Sequence, residues 1–440
     1  MSPVVKRIPS DPALPATADV VVIGGGIIGA TAAFFLAERR YSVALVEKGY
    51  VGCEQSSRNW GWCRQQNRDE RELPMAGLAL RLWDEFAAKI GEDVGFRRCG
   101  LVYATDNPQQ LADWENWLET ARRFDVNTRI LSPAEAEEKI PGNGRKWLGG
   151  VHSMEDGKGE PAMAAPTIAE GARKFGATIH QDCAARGLEI TNGAVSAVVT
   201  EKGVIRTQAV LCAGGAWTSL FCRASGVTVP QASVRQTALR TRPTVNLGEA
   251  LYTPDCTMTR RLDGSYTLAI SGRATLDITP QGIRFARWFM PMFVKRLKAV
   301  QVGLGDSFFR GPEALGGWSG GKSSPFERTR VLDPAPHKPT AEAILSQIRR
   351  QFPALADVEI AESWGAYVDF TPDAVPVISG ADDVRGLTIA AGASGHGFGL
   401  GPGIGYLAAD LVANDAPSLD PTPFRLSRFG DGSKVKVGAI

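Results

Sequence analysis

The sequence predicts an α/β fold in two domains, one wound around a parallel sheet and one built on an antiparallel sheet. Three observations predict it. The chain has 440 residues, and one hydrophobic core usually serves roughly 100–200 residues. Near the start, a run of β-branched residues passes through a glycine turn into a helical pattern and then into a second β-branched run, which is how a parallel βαβ unit reads. Residues 227–275 then read as successive strands without helices between them.

Residues 1–17 form a polar, proline-containing arm. Asp19–Gly24 is a buried strand, Gly24–Gly29 a turn, and Ile27–Arg40 a helix with Ile28, Ala32, Phe35 and Leu36 on one face. Tyr41–Glu47 is the second strand. Glu72–Ile90 is a helix, and residues 95–150 mix short strands with a helix over Gln109–Phe124. Pro161–Phe175 is helical, strands follow through Leu211, and residues 212–217 make a small-residue turn. Residues 276–340 break the pattern with glycine, proline, aromatic and basic residues. Thr340–Phe352 is a helix, 359–378 is strand-like, and Leu387–Ala391 is a buried strand. Gly392–Gly405 reads as a glycine-rich loop that runs into a last helix ending near Asn414.

The turn has the spacing Gly24-x-Gly26-x-x-Gly29. The first glycine permits the tight turn, the second lets a pyrophosphate approach the backbone, and the third lets helix and strand pack closely. The helix start offers free N–H groups and a positive dipole end to phosphates. Glu47 ends the next strand, where a carboxylate can accept from ribose hydroxyls. This is a Rossmann-like dinucleotide site, and the turn alone does not separate NAD from FAD.

Composition excludes other classes. With 44% hydrophobic residues, 22% charged residues and a net charge of +2, a nucleic-acid partner is not expected. The seven cysteines form no C-x-x-C pair, so neither a disulfide scaffold nor a metal site is expected. No signal-peptide pattern and no apolar run of ~20 residues occurs. The expected location is cytoplasmic, with peripheral contact at the inner membrane left open.

Gln55-Ser56-Ser57-Arg58-Asn59-Trp60-Gly61 resembles the flavin-contacting loop of the D-amino-acid oxidase and glycine/sarcosine oxidase superfamily. Trp364–Ile378, with its Thr371-Pro372-Asp373, is similar to that superfamily's T-P-D-x-x-P-x-I stretch, and Ala393–Pro402 to its closing glycine-rich loop. The resemblance runs from about Asp19 to Leu411. Cys183–Glu189, Val198–Gly203, Ser324–Glu327, Phe424–Phe429 and the insertion at about 276–340 resemble the bacterial membrane-associated L-amino-acid deaminases. Two features depart from those relatives. Their N-terminal membrane helix has no counterpart, and Ser394-Gly-His-Gly-Phe398 is nearer the sarcosine-oxidase form. The electron acceptor, oxygen or a quinone, therefore stays open.

The resemblance implies a D-amino-acid oxidase-like fold. Its FAD-binding domain would come from 17–90, 155–230 and 355–430, and its antiparallel substrate domain from 91–154 and 231–354. It implies oxidation of an L-amino acid to a 2-oxo acid and ammonia; a D-amino acid or a secondary amine such as sarcosine, and a noncatalytic flavoprotein subunit, are the alternatives. FAD contacts would come from Gly24, Gly26, Ile27, Ile28 and Gly29, from Glu47 and Lys48, and from Gln55, Ser56, Ser57 and Arg58. Further contacts would come from Ala184, from Ala213, Gly214, Gly215 and Trp217, and from Gly395, His396, Gly397, Phe398 and Gly399. The flavin-linking cysteine of sarcosine oxidases lines up with Ala366, which implies noncovalent FAD.

A planar guanidinium suits the substrate carboxylate. Arg273 matches by position the carboxylate-binding arginine of the deaminases, and Arg64 the substrate-contacting arginine of the sarcosine-oxidase branch. His396 is the histidine placed to touch flavin or substrate, and Trp62, Tyr367 and Val368 would shape the pocket. Asp369 or Glu362 would select a basic amino acid. Ile283–Lys298 interleaves basic and aromatic residues, with Pro291 expected to interrupt any long helix. It can serve as a lid, a contact between subunits of a homo-oligomer, or a membrane surface contact.

Overall fold

The structure is a computed structural model and describes residues 2–140, 145–297, 300–314, 316 and 323–438. β1 (Val20–Ile23) is a run of four buried apolar residues, suited to a strand covered on both faces. It pairs in parallel with β2 (Val43–Val46) on one side and with Ala209–Cys212 on the other. Thr178–His180 extends the parallel set beyond β2, and Val384–Ala391 extends it beyond Ala209–Cys212. Segments from opposite ends of the chain thus share one sheet. The hairpin Ala185–Thr191 and Ala194–Thr200 joins its edge through the pairing of Ala194 with Arg385.

α1 (Ile27–Glu38) is buried almost all round, because the sheet covers one side of it and helices cover the rest. After the short α2 (Gln55–Arg58) comes α3 (Leu73–Ile90), which ends at Gly91 in the left-handed conformation that closes many helices. Phe34, Phe35, Trp83 and Phe86 fill the core between α1 and α3, with Phe34 edge-on to Phe86 at 5.5 Å.

The last glycine-rich segment differs from expectation. It is helical from Gly397 to Ala413 rather than a loop through Gly405. Its glycines are spacers between packed helices. A Cβ on Gly401 would lie 2.8 Å from the Ile27 side chain, one on Gly403 2.8 Å from the Met75 carbonyl, and one on Gly405 2.8 Å from the Ile28 carbonyl.

The second sheet has ten strands and is mainly antiparallel. Its longest pairing joins Ala232–Thr241 to Ile360–Phe370. Residues 360–370, expected with the first domain, therefore pair in the second sheet. Two pairings are parallel: Leu251 and Tyr252 with Val102 and Tyr103, and Ala274–Asp277 with Val300–Gly303.

The insertion contains one unbroken helix, Pro280–Arg296, although Pro291 lies inside it. The proline removes a single N–H, the one that would have bonded the carbonyl of Arg287, an exposed residue. Buried Phe285 and Met292 pin the helix on both sides of that point. Lys298 of the expected basic stretch lies outside the described residues.

Candidate active site

A cavity of about 1070 Å³ opens where the C-terminal ends of β1 and β2 meet the second sheet and the insertion helix. Gly24 has φ +106°, and a Cβ there would lie 2.4 Å from the Ala213 carbonyl. Gly29 does not line the cavity. A Cβ on it would lie 2.0 Å from the Gly24 carbonyl, so it serves the close packing of strand and helix. Gly26, Ile27 and Ile28 do line it, and α1 starts at Gly26 with no side-chain cap. Glu47 is buried and accepts from Gly25 N at 2.7 Å and Gly49 N at 2.8 Å. Its oxygens keep further acceptor capacity toward the cavity.

The α2 loop is fastened to this turn, since Ser56 Oγ accepts from Ile27 N at 2.8 Å. Gln55, Ser56 and Arg58 line the cavity. Ser57 does not; its hydroxyl donates to the Glu54 carbonyl at 3.2 Å. Ala213, Gly214, Gly215 and Trp217 line the cavity, whereas Ala184 gives its N–H to Glu201 at 2.6 Å and leaves the lining to Ala185.

The chain returning from the insertion is strapped across this end. Lys48 Nζ donates to Glu54 at 2.5 Å and to the Thr329 and Arg330 carbonyls at 2.9 Å each. Glu54 accepts from Leu332 N at 2.9 Å and from Trp217 Nε1 at 3.2 Å. Arg58 donates to the Leu332 carbonyl and lies 3.3 Å from Asp333. Lys48 and Arg58 line the cavity, but their charged ends hold this strap.

At the other end, Gly395, His396, Gly397 and Phe398 line the cavity. Gly399 does not, because it packs the helix onto the Trp62 carbonyl, 2.6 Å from where its Cβ would lie. The helix Gly397–Ala413 also starts without a side-chain cap. His396 is buried, with Nδ1 2.9 Å from Glu72 Oε2. Burial pushes its pKa down to about 4, helped by the Arg68 charge and opposed by Glu72. The ring is therefore neutral at pH 7. A carboxylate only accepts, so Nδ1 carries the hydrogen and Nε2 is left as an acceptor.

Trp62, Tyr367, Val368 and Ala366 line the cavity, and Trp62 is fixed by its Nε1 bond to Thr259 Oγ1 at 2.7 Å. Arg64 lines it too, half-buried, with one guanidinium nitrogen on the Gln66 carbonyl. Arg273 does not. It stands just before the strand Ala274–Asp277, and its neighbours Gly272 and Ala274 are in the lining while its own side chain is not. Glu362 pairs with Arg240 at 3.4 Å and is not in the lining. Asp369 is in the lining, but its Oδ2 already accepts from Gln231 Nε2 at 2.6 Å and Gly392 N at 2.8 Å. Through these two bonds it clamps the strand end.

Sequence reasoning missed Arg68, Glu72, Tyr103 and the Glu54 latch. The one signal available was three charges, Arg64, Arg68 and Glu72, close behind the α2 loop. The Thr371-Pro372-Asp373 motif proves to be scaffolding: Asp373 takes both ends of the Arg428 guanidinium at 3.0 Å each. Among the described residues all seven cysteines are free, and no cluster could hold a metal ion. No helix among them is long and apolar enough to cross a membrane.

Two uncapped helix starts thus face one long cavity, one beside a glycine turn and an acid, the other beside a neutral histidine. Each favours negative charge. The pair fits a dinucleotide with its pyrophosphate at α1 and an electron-rich ring at Gly397.

Residues 19–411 match the DAO family, described as FAD dependent oxidoreductase. The L-amino acid deaminase of Proteus myxofaciens, solved with anthranilate, superposes with a TM-score of 0.91 at 32% identity, covering 97% of this chain and 96% of that one. Glycine oxidase of Geobacillus kaustophilus is 25% identical over 93% of this chain and 97% of its own length. Mitochondrial sarcosine dehydrogenase of Mus musculus is 25% identical over 97% of this chain, which spans 43% of that protein.

Proposed function

Since the chain belongs to the DAO family of FAD-dependent oxidoreductases and is an amino-acid or amine oxidoreductase, we propose that it converts an L-amino acid to the 2-oxo acid and ammonia. The observation that carries this choice is the likeness to an L-amino acid deaminase over nearly the full length of both chains. Bound FAD supplies the acceptor for the hydride leaving Cα.

The chain's own residues do the rest. Backbone N–H groups at the start of α1 receive the pyrophosphate, and Glu47 receives a ribose hydroxyl. Arg64, in the cavity lining, holds the substrate carboxylate. His396, held by Glu72, offers Nε2 as an acceptor to the substrate amine. The helix start at Gly397 favours negative charge on the ring beside it. Trp62, Tyr367 and Val368 wall the site, and with alanine at position 366 the flavin is held without a covalent bond.

A second reading, oxidation of glycine or a secondary amine such as sarcosine, is favoured by one observation. The cavity is lined by Arg64, expected from the sarcosine-oxidase branch, and not by Arg273, expected from the deaminases. Anaerobic mixing of the holoprotein with L-amino acids, D-amino acids, glycine and sarcosine tests both. Bleaching of the flavin band by L-amino acids is expected. Bleaching by sarcosine or D-amino acids alone overturns the L-specific proposal, and no bleaching by any of them would leave a noncatalytic flavoprotein. An oxygen electrode then separates oxygen from a quinone as acceptor.

The insertion helix would do two things. Its inner face, including Phe289 and Phe293, walls the cavity. Its outer stripe, Val294 and Leu297, is exposed beside Lys295, and Ile283 and Met290 are exposed where they border the cavity. That stripe is proposed as a weak, reversible contact with an anionic membrane surface.

A further inference from the structure

One corner of the cavity holds polar groups with nothing to bond. Arg68 is buried and lines the cavity; its Nε reaches the Arg64 carbonyl at 3.4 Å, while its Nη1 has no partner among the described residues. Tyr103, on the strand Leu101–Thr105, is buried and lines the same cavity, and its hydroxyl has no partner there either. Arg64, Arg68 and Tyr103 all line the same cavity. Of the other three buried arginines, Arg58 also leaves its Nε without a partner among the described residues, but it has the Leu332 carbonyl and Asp333; the remaining two are matched. Arg428 has Asp373 on two nitrogens, and Arg261 has the Thr267 hydroxyl and the Gly159 and Asn59 carbonyls. A buried cation with an open donor is costly unless an anion meets it.

The corner also abuts the reacting end. His396, immediately before the helix start at Gly397, lines the same cavity and is held at 2.9 Å by Glu72, four residues after Arg68. We propose that the substrate carboxylate seats between Arg68 Nη1, the Tyr103 hydroxyl and the Arg64 guanidinium, with Arg68 as its main anchor. This rests on the amino-acid oxidase reading above. It assigns the carboxylate to the strand Leu101–Thr105 side of the cavity, away from Arg273, and so sets which face of Cα meets the flavin. Arg64 is half-buried with one guanidinium nitrogen on the Gln66 carbonyl, whereas Arg68 is buried, so Arg64 meets the substrate nearer solvent and Arg68 deeper in.

Benzoate titration of the holoprotein, followed by the change in flavin absorbance and by calorimetry, tests this without turnover. Arg68→Met is expected to weaken benzoate about 30-fold and Tyr103→Phe about 5-fold, with flavin content and melting temperature unchanged. Arg68→Lys is expected to recover part of the loss. Wild-type benzoate affinity in Arg68→Met, or a loss confined to Arg273→Met, overturns the proposal. If Arg68→Met does not fold, wild-type affinity in Tyr103→Phe, which removes one oxygen atom, overturns it instead. Failure of the oxidase reading shows differently, as a wild-type flavin that binds benzoate but is bleached by no amino acid or amine.

Discussion

Glu313 is a carboxyl group held without water. It is buried behind the insertion helix, and its Oε2 accepts from Thr279 Oγ1 at 2.7 Å. Burial pushes its pKa from 4.5 up to about 7, with Asp369 adding to the rise. A folded pKa above the unfolded one means that the fold favours the protonated form. Stability from this group is complete below about 4.5 and is lost as pH rises through about 7. Glu313→Gln should match the wild type near pH 4.5 and exceed it at pH 8 by about 2–3 kcal/mol. Urea unfolding at both pH values checks this, and a difference that does not change with pH sinks it. His396 acts in the opposite sense: its folded pKa of about 4 lies below the ordinary 6.5, so its contribution is lost as pH falls between them. At this scale the sequence shows which residues can bear charge, but not which are deprived of water. Nothing in the spacing of Arg68 and Glu72 marks them as buried, because burial depends on segments hundreds of residues away.

The helix Gly397–Ala413 packs closely on α1 and α3 because its glycines remove side chains where backbones meet. At Gly405 a Cβ would lie 2.8 Å from the Ile28 carbonyl and 2.8 Å from Thr31 Cβ. A backbone carbonyl cannot step aside as a flexible side chain can. Gly405→Ala should therefore destabilise the protein by about 1–3 kcal/mol. The movement should pass along α1 to the glycine turn and loosen FAD retention. Gly380→Ala is the comparison, since nothing lies within 4 Å of a Cβ at that site. Equal melting temperatures for the two variants would mean that the helices separate at no cost. The sequence showed these glycines as a loop because alternate glycines carry no helical apolar period. The packing that makes them helical is with Ile27, Ile28, Met75 and Ala79, which only the folded chain brings near.

Across the whole molecule, half of the exposed large apolar side chains among the described residues fall between Ile278 and Phe309. The insertion thus presents the chain's main apolar surface beside basic side chains, while its inner face closes the cavity. The membrane contact proposed for it predicts that the protein floats with phosphatidylglycerol vesicles at low salt and detaches at high salt. Replacing Val294 and Leu297 together by serine should abolish flotation without loss of flavin. A salt-insensitive dimer that ignores vesicles would assign the stripe to subunit contact instead. The return strap adds a second link between distant parts. Residues 329–333 are tied by hydrogen bonds to Lys48, Glu54 and Arg58, which line the cavity near β2.

By itself the sequence determined the βαβ unit, the glycine turn, Glu47 at the end of the second strand and the helical period of most helices. These depend on neighbours within a few turns of chain, where periodicity and residue type act directly. Sequence likeness added the flavin and the class of substrate. Tertiary structure decided that the closing glycines form a helix, that residues 360–370 join the second sheet, and that Thr371-Pro372-Asp373 braces Arg428. It also decided that Arg64, and not Arg273, lines the cavity, with Arg68 and Tyr103 left unmatched beside it. Each of these turns on which side of a strand or helix meets a segment far away in the chain, and on whether water reaches a charge. Neither is encoded by spacing along the chain.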